Sequence, residues 1–278
     1  MFDDRKIVIA TKHHKEKVIA PIIEATLNAK CFIDLRFDSD LLGTFTGEIE
    51  REEDPISTAR KKCEMAMELT DTDIAIASEG SFGPHPSFYF ASAADEFLVL
   101  IDKKNELEIV VRELTFDTNF NASTITSDVE LLEFAESVKF PSHGIIVKKS
   151  KESLDGIVKG ITDWDELNSA TMDYILKYGS VYLETDMRAM FNPTRMEVIK
   201  NLTQKLADKI KSTCPECQTP GFGVTDAING LPCSQCNFPT RSVKSHVCSC
   251  LKCSYTQEIK FPFNKEFEDP MYCDFCNP

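Results

Sequence analysis

The chain has 278 residues, enough to bury a sizeable core and to hold one large domain or a large domain with a small companion. Its 45 acidic side chains against 31 basic ones leave a net charge of −14, which excludes broad binding to phosphate backbones, because that binding depends on clustered Lys and Arg. No basic-then-apolar leader opens MFDDRKIVIAT, and no apolar run approaches the roughly 20 residues that span a bilayer, so a soluble, cytoplasmic protein without a membrane partner is expected.

KIVIAT (Lys6 to Thr11) reads as a buried strand. EKVIAPIIEATLNA then pairs Val18, Ile19, Ile22, Ile23 and Leu27 at the spacing of one helical face, with Pro21 acceptable only if the helix starts shortly before it. KCFIDL is the next strand, and the polar connection GTFTGEIEREEDP leads to a helix over STARKKCEMAMELT. DIAIAS, EFLVLI and LEIVVREL follow as strands. SDVELLEFAESVKF is a helix opened by a Ser127 and Glu130 capping box, GIIVKK a strand, and TDWDELNSATMDYILKYG a helix closed by Gly179. The last pair is the strand SVYLETDM and the helix TRMEVIKNLTQKLADKIK, with Asn192 as N-cap and Pro193 at the first helical position. This alternation predicts an α/β domain over residues 1–212, a mixed sheet covered by helices.

Residues 213–278 are of another kind. Nine of the eleven cysteines lie between Cys214 and Cys276, and eight of them form four C-x-x-C pairs: Cys214/Cys217, Cys233/Cys236, Cys250/Cys253 and Cys273/Cys276. Two intervening residues let both thiolates of a pair turn toward one ion, and two pairs complete a closed tetrahedral site. In a reducing compartment such a cluster points to metal rather than disulfides, so two structural zinc ions in a double zinc-ribbon-like domain are expected. Pairing the first pair with the second and the third with the fourth needs the shortest loops and is the preferred arrangement, with an interleaved one as the alternative. Cys248 is left over as a bystander.

The turn after the first strand carries Thr11, Lys12, His13, His14, Lys15 and Lys17. A helix start offers unpaired N–H groups and the positive end of the dipole, so lysines placed there make a phosphate-sized anion site; the competing reading is a solvated basic turn. Further pieces recur at strand ends: Ser57, Thr58 and Arg60 at the second helix, Glu184, Asp186 and Arg188 after a later strand, and Arg195 at the last helix. Open α/β sheets bind ligands at such strand-to-helix turns. The stretch IASEGSFGPHP, from Ile76 to Pro86, reads as a strand breaking into a Gly/Pro turn, with Glu79 and Ser81 beside backbone N–H groups that glycine leaves accessible. His85 reads equally as a positioning residue and a simple turn residue, and His143 as a satisfied strand-start histidine.

The order VIAT…K, then E…P…TARKK, then DIAIASEGS, then MRA…TRM resembles, over residues 5–210, the nucleoside-triphosphate pyrophosphatases of the inosine-triphosphatase and Maf type. The fuller pattern, with TFTGEIER and a tail ending YCDFCNP, resembles a bacterial protein family that has no assigned activity. The first resemblance implies a metal-dependent hydrolase of a nucleotide or related phosphorylated small molecule. Lys12, Lys15, Lys17, Arg60, Arg188 and Arg195, with Thr11 and Ser81, would hold phosphates, and Glu50 and Glu79 would hold Mg²⁺ and the attacking water. The departures are Ser57, where the pyrophosphatases carry a glutamate, and Ser78 with Glu79, where they carry paired aspartates. These missing acids support the alternative, a non-catalytic nucleotide-sensing module whose zinc region docks a protein or nucleic acid. A homodimer is compatible with either.

Overall fold

A computed structural model describes residues 1–39 and 53–278. The chain divides into two compact units, Met1–Leu206 and Ala207–Pro278. Among the described residues there are five α-helices and three sheets, a mixed α/β architecture, and no helix is long and apolar enough to cross a membrane.

The first sheet of the first unit contains β1 (Lys6–Ala10), β2 (Lys30–Phe32), β3 (Ile74–Pro84), β4 (Ser92–Asp102) and β5 (Leu107–Thr115) in the order β2-β1-β3-β4-β5. β1 runs parallel to β2 and β3, and β3, β4 and β5 form an antiparallel meander. IVIA (residues 7–10) and IAIA (residues 74–77) are continuous apolar runs because both of their faces are buried. On one face Val8, Ala10, Ala75, Ala77 and Val99 pack against Ala59, Cys63, Ala66 and Met67 of α2 (Pro55–Thr70). That helix starts where Asp54 accepts from the N–H groups of Ile56 and Ser57, with Pro55 at the first position. Helix α1 (Glu16–Leu27) buries Ile19, Ile23 and Leu27 and carries Pro21 inside it, beyond the first turn, at the loss of one intrahelical hydrogen bond.

IASEGSFGPHP does not break into a turn after Ala77. β3 runs on to Pro84, paired with β4 in unbroken register from Ile74↔Asp102 to Pro84↔Ser92. Gly80 serves packing rather than turning: it faces Glu96, and a Cβ at Gly80 would lie 2.5 Å from Glu96 Oε1. The chain reverses only beyond the strand, where the His85 N–H donates to the Ala91 carbonyl.

The expected single sheet is two in this unit. β6 (Ala122–Ile125), β7 (Ile145–Lys148), β8 (Val158–Ile161) and β9 (Val181–Thr185) form a second, antiparallel sheet in the order β6-β9-β7-β8. Helices α3 (Asp128–Ser137) and α4 (Trp164–Tyr178) cover it, with Leu131, Phe134 and Leu167 against Ile145, Val147 and Leu183. Ser127 caps α3 through the Glu130 N–H, whereas the Glu130 carboxylate turns back to the Thr126 N–H. Gly179, at φ +82°, closes α4. Helix α5 (Pro193–Lys211) starts as its sequence implies: Asn192 Oδ1 accepts from the Arg195 N–H at 2.9 Å.

The second unit holds β10 (Gly223–Asn229), β11 (Val243–Ser249) and β12 (Thr256–Lys260), an antiparallel sheet in chain order.

Candidate functional site

Pairing of β1 with β3 ends at Ala10↔Ala77, while β3 continues for seven residues. The turn that follows β1 lies against the start of this length of β3 and brings Lys15 onto it. Thr11 Oγ1 accepts from the His13 N–H at 3.2 Å, and the Lys15 ammonium donates to Ser78 Oγ at 2.9 Å and to the Ser78 carbonyl at 3.4 Å. Side chains alternate along a strand, so Ser78 and Glu79 face opposite sides of the sheet. On the α2 side Lys62 Nζ lies 2.5 Å from Glu79 Oε2. On the other side Glu96, opposite Gly80, receives Arg195 from the start of α5, with Nε to Oε1 at 2.5 Å and Nη2 to Oε2 at 3.2 Å. The Arg195 guanidinium also donates to the Met187 carbonyl and lies over the Phe82 ring. After β9, Asp186 binds Arg188 through the backbone N–H, Nε and Nη2, and the Arg188 guanidinium stacks on Phe191.

The site is therefore a group of cations around one strand, with Lys15, Lys62 and Arg195 buried and Arg188 half-buried. Three of them, Lys62, Arg188 and Arg195, have carboxylate partners; Lys15 forms no ion pair with a carboxylate among the described residues. Burial draws the Lys15 ammonium down to about 7, helped by Arg195 and Lys62 and opposed by Glu96 and Glu79. Burial likewise draws His13 down to about 2, with Lys15, Arg195, Arg188 and Lys62 adding to the effect, so His13 is a neutral imidazole at ordinary pH.

Of the residues expected to hold phosphate, the fold brings together Thr11, Lys15 and Arg195, places Arg188 close enough to act on His13, and sets Glu79 behind them on β3. Ser81 is half-buried two residues further along the strand. Lys12 turns away to Asp38, Lys17 is exposed, and Arg60 reaches from α2 to Glu108 of β5. Glu50 lies outside the described residues. Two members were missed: Lys62 and Glu96. Each had a signal, a charged residue at an apolar-face position, Lys62 beside Ala59, Cys63 and Ala66 on a helix, and Glu96 in alternation with Ala94, Leu98 and Leu100 on a strand. His143 is satisfied, between Ser142 Oγ and Thr194 Oγ1 at 2.9 Å each.

The cysteines make two four-thiolate clusters, Cys214, Cys217, Cys250 and Cys253 in one and Cys233, Cys236, Cys273 and Cys276 in the other. This interleaving corrects the sequential pairing preferred from loop length. The reason is strand direction: β10 carries the chain about 20 Å away from the first pair, β11 brings it back, and so alternate pairs meet at the same end of the sheet. Sulfur separations of 3.6, 3.6, 3.9 and 3.7 Å match the edge of a tetrahedron whose centre lies about 2.3 Å from each sulfur, so both clusters are consistent with structural zinc sites. The four pairs share one backbone turn. In each, the residue after the second cysteine donates its N–H to the carbonyl of the first, at 2.9 Å from Gln218, 2.9 Å from Asn237, 3.1 Å from Ser254 and 2.9 Å from Asn277. Cys248 is buried on β11 beside Cys214 and Cys250 but belongs to neither cluster.

No curated protein matches the chain. A protein family described as "Domain of unknown function (DUF6671)" matches residues 62–278, which include Lys62, Ser78, Glu79, Glu96, Arg188, Arg195 and all eight clustered cysteines. With more than half of its length matched, the chain belongs to the DUF6671 family.

Proposed function

We propose that the first unit binds the phosphate groups of a nucleotide or related phosphorylated small molecule at the β3 edge and hydrolyses it. The observation that carries this is Lys15, a buried ammonium with a serine as its hydrogen-bond partner, set among Lys62, Arg188 and Arg195. Burying a charge without a directly paired carboxylate is costly, which is why burial draws Lys15 down to about 7, and an anion brought by a ligand is the group that offsets that cost. Arg188 and Arg195 supply planar donors suited to phosphate oxygens.

The described carboxylates do not by themselves fit a magnesium set: Glu79 is held by Lys62, Glu96 by Arg195 and Asp186 by Arg188. The same matching of charges favours a second reading, in which the site senses a nucleotide without turning it over. Incubating the full chain with a nucleotide panel, with and without Mg²⁺, separates the two. Release of phosphate or pyrophosphate supports hydrolysis, binding without release supports sensing, and the absence of binding removes both.

For the second unit we infer two structural zinc ions, because thiolates at tetrahedral spacing repel one another without a cation between them. Held rigid by these ions, the three-stranded sheet would present a surface to a protein or nucleic acid, and its seven acids against five bases over residues 213–278 favour a protein.

A further inference from the structure

We propose that Ser78 and Lys15 form a nucleophile–base dyad, in which the Ser78 hydroxyl attacks the phosphorus of the bound molecule and hydrolysis passes through a covalent phosphoserine. The proposal rests on the phosphate-binding reading and names the nucleophile of that same site.

The geometry is that of an activated hydroxyl. Lys15 Nζ and Ser78 Oγ are 2.9 Å apart, and their residues are 6% and 3% exposed. The groups that act on Lys15 come from every side: Arg195 from the start of α5, Lys62 from α2, Glu96 from β4 and Glu79 from β3, with His13 in its own turn. Glu79 and Glu96 are engaged by Lys62 and Arg195, so burial and the surrounding cations prevail and the neutral amine is populated near neutral pH. As an ammonium Lys15 donates to Ser78 Oγ; the neutral amine offers a lone pair 2.9 Å from that oxygen, into which the hydroxyl can donate once the proton on Nζ is lost. A lysine needed only for packing or charge would be satisfied more cheaply by a carboxylate at position 78.

The step balances without an oxidant or a metal. Lys15 Nζ takes the Ser78 proton as the Oγ–P bond forms and the bond from phosphorus to the leaving oxygen breaks; the ammonium then gives that proton to the leaving oxygen. Water next attacks the phosphoserine phosphorus and gives a proton to Lys15, the P–Oγ bond breaks, and the proton returns to Oγ with release of inorganic phosphate. Arg195, on the same face of the sheet as Ser78, offsets the negative charge on the phosphoryl group.

The test uses the full chain and methanesulfonyl fluoride, a small reagent that reports an activated hydroxyl whatever the natural substrate is. Oγ–S forms, S–F breaks, fluoride leaves, and the serine proton passes through Lys15 to solvent. Peptide mapping by mass spectrometry should find one adduct, on Ser78, forming faster as the pH rises through about 7. Ser78→Ala should abolish it, and Lys15→Met should slow it at least ~100-fold. Lys15→Arg, which keeps the cation but stays protonated, should be equally slow with an unchanged circular dichroism spectrum. No adduct on the native protein, an adduct elsewhere, or wild-type labelling in Lys15→Arg overturns the dyad. Titration with inorganic pyrophosphate tests the underlying reading separately: pyrophosphate binding without an adduct overturns the dyad alone, whereas an adduct without pyrophosphate binding overturns the phosphate reading and phosphorus as the target.

Discussion

Arg195 and Glu96, 99 residues apart in the chain, form a doubly hydrogen-bonded ion pair whose side chains are 1% and 0% exposed. The pair ties the start of α5 to β4, and Gly80 is the residue that leaves room for it. Gly80→Ala would push a methyl group against a carboxylate that Arg195 holds in place, so it should destabilise the first unit by about 1–3 kcal/mol. Urea unfolding followed by circular dichroism checks this, and an unchanged midpoint would show that Glu96 has space to move.

Lys62 and Glu79 make the second buried pair. Glu79→Gln alone leaves the Lys62 ammonium buried without its partner and should cost about 3–5 kcal/mol, the range for breaking a buried pair from one side. Lys62→Met with Glu79→Gln should recover much of that loss, giving a favourable interaction energy in a double-mutant cycle. Additive losses would show that the two side chains do not depend on each other.

Stability should depend on pH through His13 and Lys15. Both have folded-state pKa values below their ordinary ones, so the unfolded chain binds the proton more readily. The contribution of His13 is present above pH 6.5 and is lost as the pH falls from there toward about 2. That of Lys15 is complete above pH 10.5 and is lost as the pH falls toward about 7. His13→Gln should flatten the loss of stability between pH 6.5 and 4.5 relative to wild type in urea-midpoint measurements. Lys15→Met should flatten the gain between pH 7 and 10 in the same assay.

The interleaved cysteines make a stoichiometric prediction. Wild-type protein purified without chelator should carry two zinc ions per chain. Cys214→Ser with Cys253→Ser, both in one cluster, should leave one ion, whereas Cys214→Ser with Cys233→Ser, one in each, should leave none. Sequential pairing predicts the reverse pattern in metal analysis.

The four C-x-x-C pairs, the alternating α/β elements and the Asn192–Pro193 helix start were legible because each is a local pattern with a local cause. β6 and β8 escaped notice because ASTI and VKGI are half-exposed and lack the continuous apolar run that marks the equally short β7, IIVK. The path of β3 past Ala77 was hidden because its glycines signal a turn by themselves, and only the facing Glu96 shows that Gly80 makes room instead. The cysteine pairing was misjudged because loop length is readable in a sequence while strand direction is not. Lys12, Lys15 and Lys17 looked alike for a related reason: only the turn after β1 decides that Lys15 goes inward while Lys12 meets Asp38.

The central claim, that cations at the β3 edge hold a phosphate, is tested most directly by calorimetric titration of the full chain with a nucleoside triphosphate, in wild type and in Arg188→Gln. Arg188 is the most accessible of the cations with a carboxylate partner at the site, and glutamine retains a donor for Asp186. The account predicts binding to wild type at pH 7 and a loss of at least ~10-fold in the variant, the scale of one charge-assisted contact. Equal affinity in the two proteins, or no heat with wild type for any nucleotide or for pyrophosphate, would contradict it.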